Sequence, residues 1–114
     1  MKSRICALSK NEEFKKLLQQ RKISNKYVTI FFGRLDNKNK NKLNVSFVTK
    51  KKIGNAVKRN KIKRRLRNIV NDAVKNINLK FDYSYLVIAK PTMLNNNYTI
   101  IKETLFRDLE RIRK

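Results

Sequence analysis

Histidine is absent from this 114-residue chain, cysteine occurs once, proline once and glycine twice, and only 8 acids stand against 30 lysines and arginines. Each shortage excludes something. Without histidine the commonest general base is missing. Cys6 alone cannot close a disulfide within the chain, and with no histidine the zinc sites built from nitrogen and sulfur are effectively excluded; Cys6 reads as a small apolar residue. Two glycines cannot build the Gly-rich phosphate cradle of a Walker-type loop. The acids Glu12, Glu13, Asp36, Asp72, Asp82, Glu103, Asp108 and Glu110 are scattered, whereas a two-metal nuclease needs several carboxylates converging on one site. No apolar run is long enough for a signal peptide or a membrane span. The expectation is a cytoplasmic protein with no membrane partner, no metal site and no catalytic residue of its own.

What the chain has is positive charge, +22 net at neutral pH, on a 40% hydrophobic background. That apolar fraction supports one folded domain spanning residues 1–114. Self-repulsion on this scale weakens the compact state and favours an anionic partner.

The charge is concentrated in residues 50–67, KKKIGNAVKRNKIKRRLR. No acid interrupts this stretch, and a polyphosphate, RNA or DNA, is the partner it suits best. Asn55 is a good N-cap, and Gly54 before it frees the chain to turn. From Ala56 to about Ile77 the residues favour helix, with no internal glycine or proline. Ile62, Leu66, Ile69, Ala73 and Ile77 share one face. Asn60, Lys63, Arg64, Arg67 and Asn71 form a second, and Lys61, Arg65, Asn68 and Asp72 a third. Such a helix buries one stripe and shows RNA a surface of guanidinium, ammonium and amide donors, arginine gripping phosphate oxygens bidentately. A merely solvated helix face in a lysine-rich composition is the plainer reading. It does not account for Arg59, Arg64, Arg65 and Arg67.

Along the chain, Ser9 and Glu12 fit a capping box ahead of a short helix to about Gln20, with Phe14, Leu17 and Leu18 on one side. Tyr27 to Phe32 and Leu43 to Lys50 read as strands, joined by the polar run RLDNKNKNK. In the second of them Leu43, Val45, Phe47 and Thr49 share a face. After the basic helix and a turn around Asn78 to Asp82, Tyr83 to Ala89 is a third strand, stopped by Pro91. A final helix runs near Tyr98 to Arg113, with Ile101, Leu105, Leu109 and Ile112 inward. The order helix–strand–strand–helix–strand–helix predicts an α+β two-layer sandwich, a small sheet with helices on one face, and a parallel crossover through the basic helix. Aromatics are the second functional candidate, since a ring on an open sheet face stacks on unpaired bases. Phe14 and Tyr27 are the choices for that role, against a core role for each.

Residues 51–67, KKIGNAVKRNKIKRRLR, resemble the signature of the bacterial ribonuclease P protein subunit: Lys-Lys-x-Gly-x-Ala-Val, then Arg-Asn, two residues, Lys-Arg, two residues and Arg. Lys51, Lys52, Gly54, Ala56, Val57, Arg59, Asn60, Lys63, Arg64 and Arg67 all fit, and the likeness extends along nearly the whole chain. The resemblance implies a small basic protein bound to a catalytic RNA, the two together removing the 5′ leader of precursor tRNA by Mg²⁺-dependent hydrolysis. The RNA holds the metals. It further implies that Lys51, Lys52, Arg59, Asn60, Lys63, Arg64 and Arg67 contact RNA, and that Phe14 and Tyr27 line a groove for the leader. The implied fold is that of the second domain of ribosomal protein S5, whose βαβ crossover is left-handed against the general rule. No stable protein partner is implied. The chain departs from the family pattern at Asn44 and Ser46, where arginine and glycine are usual, at Asn68 in place of an acid, and at Leu18 in place of a second aromatic.

The alternatives are a ribosomal or assembly protein that binds structured RNA, and a DNA-binding nucleoid protein. The first does not predict the signature spacing. The second predicts dimer contacts or a helix-turn-helix, and neither is evident.

Overall fold

A mixed sheet organises the chain. A computed structural model describes residues 5–6, 11–34, 43–76, 83–95 and 97–113. The strands are β1 (Ile5–Cys6), β2 (Arg21–Ser24), β3 (Val28–Arg34), β4 (Leu43–Val48) and β5 (Tyr83–Ala89), side by side in the order β1-β4-β5-β3-β2; the helices are α1 (Asn11–Leu18), α2 (Ala56–Asn76) and α3 (Tyr98–Arg113). Short 3₁₀ turns occupy Lys51–Ile53 and Pro91–Asn95. The expected cap at Ser9, the polar run over 35–42 and the turn over 78–82 lie outside the described residues.

β4 and β5 are parallel neighbours, Asn44 opposite Ser84 and Val48 opposite Ile88, so α2 is the connection of a parallel crossover. β3 pairs antiparallel with β5, and β2 with β3. β5 is therefore a central strand, and its sequence YSYLVIA suits one: a strand covered on both faces reads as a nearly continuous apolar run.

α2 and α3 cover one face. Val28, Ile30 and Phe32 of β3, Leu43 and Val45 of β4, and Tyr85, Val87 and Ala89 of β5 form one core with Ile62, Leu66, Ile69, Val70, Ala73 and Val74 of α2 and Ile101, Leu105, Leu109 and Ile112 of α3. The expectation of helices on one face holds for these two. α1 is the exception and packs on the other face, where Leu17 and Leu86 are buried together with Phe14, Phe31, Val48 and Ile88 partly buried against them. The cause is β5 itself, whose Leu86 and Ile88 point away from α2 and need cover of their own.

Local contacts set the helix ends. The Lys58 amide donates to Asn55 Oδ1 at 3.0 Å, the expected N-cap of α2, an interaction typically worth about 1 kcal/mol. Gly54 turns the chain just before it, and a Cβ there would stand 2.9 Å from Lys58 Cδ. Asn97 caps α3 the same way, accepting from the Thr99 amide at 2.7 Å. Lys102 of α3 donates to Asp72 of α2 at 2.8 Å. This hydrogen bond chiefly raises the lysine pKa above its ordinary 10.5. The stabilising effect of the raised pKa is thus fully present below 10.5 and fades as pH rises through the raised value. Both side chains are about a third exposed, so the contact is screened and small.

Candidate nucleic-acid interface

The six apolar residues that α2 buries fix which way its remaining faces point. At about 100° per residue, Arg59, Lys63, Arg67, Asn60 and Arg64 fall within an arc of roughly 140°, whose one edge overlaps the buried stripe where Val70 and Val74 continue it in later turns. Asn60, Lys63, Arg64 and Arg67 are exposed, and so are Lys51 and Lys52 on the turn that leads into the helix. The structure thus brings all seven expected RNA-contacting residues to α2 and the turn before it. No carboxylate of α2 lies on that arc, since Asp72 is turned to Lys102.

Arg59 differs from the others. It is half-buried, and its Nε is shielded from solvent without a hydrogen-bond partner among the described residues. Val57 is 77% exposed in the first turn, an apolar side chain set among cations. Neither feature is legible in the sequence pattern.

The second candidate surface is the sheet face beneath α1. Phe14 is half-buried there, packed against Leu17 and Leu86. Tyr27 is not. Its ring is 4% exposed and belongs to the core on the α2/α3 side. The reason is the turn before β3. Asn25 Oδ1 accepts from the amides of Tyr27 and Val28 at 2.7 and 2.9 Å, and Asn25 Nδ2 donates to the buried Asp108 of α3 at 2.7 Å. Tyr27 sits in this turn, outside the alternation of the strand, and folds inward. Phe31, not Tyr27, lies on the α1 face of the sheet. It is partly exposed beside Phe14, Val48 and Ile88, and the Lys22 ammonium lies 5.9 Å from its ring centroid. The strand alternation carries the signal for this, because Phe31 points opposite to Val28, Ile30 and Phe32 once these are taken as core.

Among the described residues no three His, Cys, Asp or Glu side chains gather where they could hold a metal ion. No helix among them is long and apolar enough to cross a membrane.

A sequence profile of the Ribonuclease P family matches residues 3–113. The chain belongs to this family. The ribonuclease P protein component of Carboxydothermus hydrogenoformans is 34% identical over 102 residues, covering 86% of this chain and 83% of that protein. That of Mesoplasma florum is 33% identical over 92 residues, covering 80% of each. Among solved structures, the ribonuclease P protein of Thermotoga maritima superposes with a TM-score of 0.79 at 23% identity, over 95% of this chain and 98% of that one. A Staphylococcus aureus ribonuclease P protein gives 0.76 at 23% identity, over 95% and 94%. The α+β fold described above is the fold of these ribonuclease P proteins.

Proposed function

We propose that this chain is the protein partner of a catalytic RNA and that the two together act as the endoribonuclease that removes the 5′ leader of precursor tRNA. The observation that carries this is the cationic arc of α2, held outward by six buried apolar residues and free of carboxylates. Arg59, Lys63, Arg64 and Arg67, with Lys51 and Lys52, grip phosphates of the RNA partner, and Asn60 offers a donor and an acceptor to a base edge or a bound water. A phosphate oxygen also satisfies the Arg59 Nε, a donor that otherwise costs about 1–3 kcal/mol when buried without a partner.

Mg²⁺ belongs to the RNA in this reading. The donor set of the protein does not suit it, because hard cations need convergent oxygen ligands and the exposed face of α2 is cationic. The role of the chain is to bind and orient RNA, in the cytoplasm where tRNA matures.

Phe14 and Phe31 supply the selectivity for precursor over mature tRNA, their rings stacking on bases of the single-stranded leader. Stacking is worth about 1–3 kcal/mol per base by truncation. Phe31→Ala therefore weakens precursor binding roughly fivefold or more and leaves mature tRNA binding unchanged. Affinities of both tRNAs for the assembled RNA–protein complex test this, with Phe31→Leu as the variant that keeps packing and loses the ring. Equal losses for both tRNAs would remove the groove from the account.

A further inference from the structure

A second cluster of arginine and aromatic side chains lies away from both surfaces described so far. The sheet register places Arg21 opposite Phe32, and Arg34 opposite Tyr83. Directly paired residues share a face, so the two arginines and the two rings are neighbours on the side of the sheet that carries α2 and α3. The Phe32 and Tyr83 rings are 5.9 Å apart and inclined at 33°. The Arg34 guanidinium carbon lies 5.9 Å from the Tyr83 ring centroid. Between them is a cavity of about 260 Å³ lined by Gln20, Arg21, Phe32, Gly33, Arg34 and Tyr83. Both arginines are exposed, Tyr83 is half-buried and Phe32 forms the buried back wall.

The position of this cavity separates it from the rest of the interface. It sits at the Tyr83 end of β5, whereas the turn into α2 follows Val48, which lies opposite Ile88 at the other end. Six residue steps at about 3.3 Å put roughly 20 Å between the ends of β5. The Phe14–Phe31 surface is on the opposite face. Charged residues on the edge strand β2 do guard against edge-to-edge pairing. That role is served by a charge of either sign and needs no aromatic-walled cavity beside it.

We propose that this pocket binds one unpaired nucleotide of RNA, with its base against Tyr83 and its phosphate between Arg21 and Arg34. The inference rests on the reading of the chain as an RNA-binding protein and adds a contact that neither α2 nor the α1 groove provides. Planar guanidinium groups match phosphate oxygens, and an aromatic ring accepts any base by stacking. The cavity is smaller than the roughly 300–1,000 Å³ of sites for drug-sized ligands, a size for one nucleotide and not a duplex.

The test is NMR on the whole chain, following the Arg21 and Arg34 Nε–H signals, the Tyr83 amide and the α2 arginines during titration with 5′-AMP and, separately, with inorganic phosphate. The expected result is that AMP moves Arg21, Arg34 and Tyr83 together, while phosphate moves the arginines more weakly and leaves Tyr83 in place. The double variant Arg21→Glu, Arg34→Glu then raises the apparent Kd for AMP at this site about tenfold or more. Tyr83→Leu abolishes the preference for AMP over phosphate. Arg21 is exposed on an edge strand, so Arg21→Glu alone keeps the test open where Tyr83→Leu does not fold. Phosphate acting as strongly as AMP would mean an adventitious ion only, and would overturn the proposal. Shifts confined to the α2 arginines would overturn it too, and leave RNA binding by α2 intact. An absence of any shift would overturn the pocket, and the affinity of the same sample for its RNA would show whether the broader reading also fails.

Discussion

Raising monovalent salt from about 50 to about 200 mM lowers the affinity for the catalytic RNA roughly a thousandfold. The figure follows from the proposed role of the six cations Lys51, Lys52, Arg59, Lys63, Arg64 and Arg67, with each neutralising one phosphate and releasing its counterion. Titrations at several salt concentrations read this as the slope of log affinity against log salt. Arg64→Ala lowers the affinity and reduces the slope by somewhat less than one unit. Lys38→Ala, in the polar run outside the described residues, removes the same charge from a segment with no part in the arc and changes both less. Equal losses for the two variants would mean that bulk charge, and not the arrangement on α2, binds the RNA. A flat salt response would remove the electrostatic account altogether.

Leu66→Ala destabilises the protein by about 2–5 kcal/mol, the range for emptying a well-packed core position. Leu66 is fully buried, in the apolar stripe of α2. Stabilities of domains this size are about 5–15 kcal/mol, so the loss is a large fraction of the total. With +22 net charge the free protein is already strained by self-repulsion. RNA restores part of the loss by mass action, about 2.7 kcal/mol at a hundredfold excess over Kd. Thermal unfolding with and without RNA measures both effects. Arg64→Ala, whose side chain is exposed, leaves the unfolding of the free protein nearly unchanged. This separation is the outcome expected when one face of α2 folds the protein and, as proposed, another binds RNA. Unfolding temperatures equal for Leu66→Ala and the parent chain would contradict the packing described here.

α2 was legible in the sequence because its signals agree. Asn55 caps it, Ile62, Leu66, Ile69 and Ala73 recur at helical spacing, and nothing inside breaks it. β5 and α3 were legible for similar reasons, β5 from its apolar run between a polar turn and Pro91. β2 was not, because RKIS carries no alternation of apolar residues. It is an edge strand, held mainly by its pairing to β3. The placement of α1 was missed because an eight-residue helix with Phe14 and Leu17 inward can pack on either face. The two-sided apolar character of β5 holds the clue, since one layer of helices cannot cover Tyr85 and Leu86 together. At the candidate site, spacing and charge alone put Asn60, Lys63, Arg64 and Arg67 on one face of α2, whereas Lys51, Lys52 and Arg59 joined the set through the family resemblance. Tyr27 lies in the core and Phe31 on the α1 face because the Asn25 turn, braced by Asp108 from the far end of the chain, sets where the strand alternation begins. A contact between residues 83 positions apart leaves no trace in local pattern.

The measurement that tests the central claim most directly is cleavage of precursor tRNA at low Mg²⁺ by the cognate RNA subunit, with and without this protein. The account predicts strong stimulation by the protein and no cleavage by the protein alone. Tight binding to the RNA subunit without stimulation would contradict it, and would place the α2 surface in a ribosomal or assembly protein that grips structured RNA for another purpose.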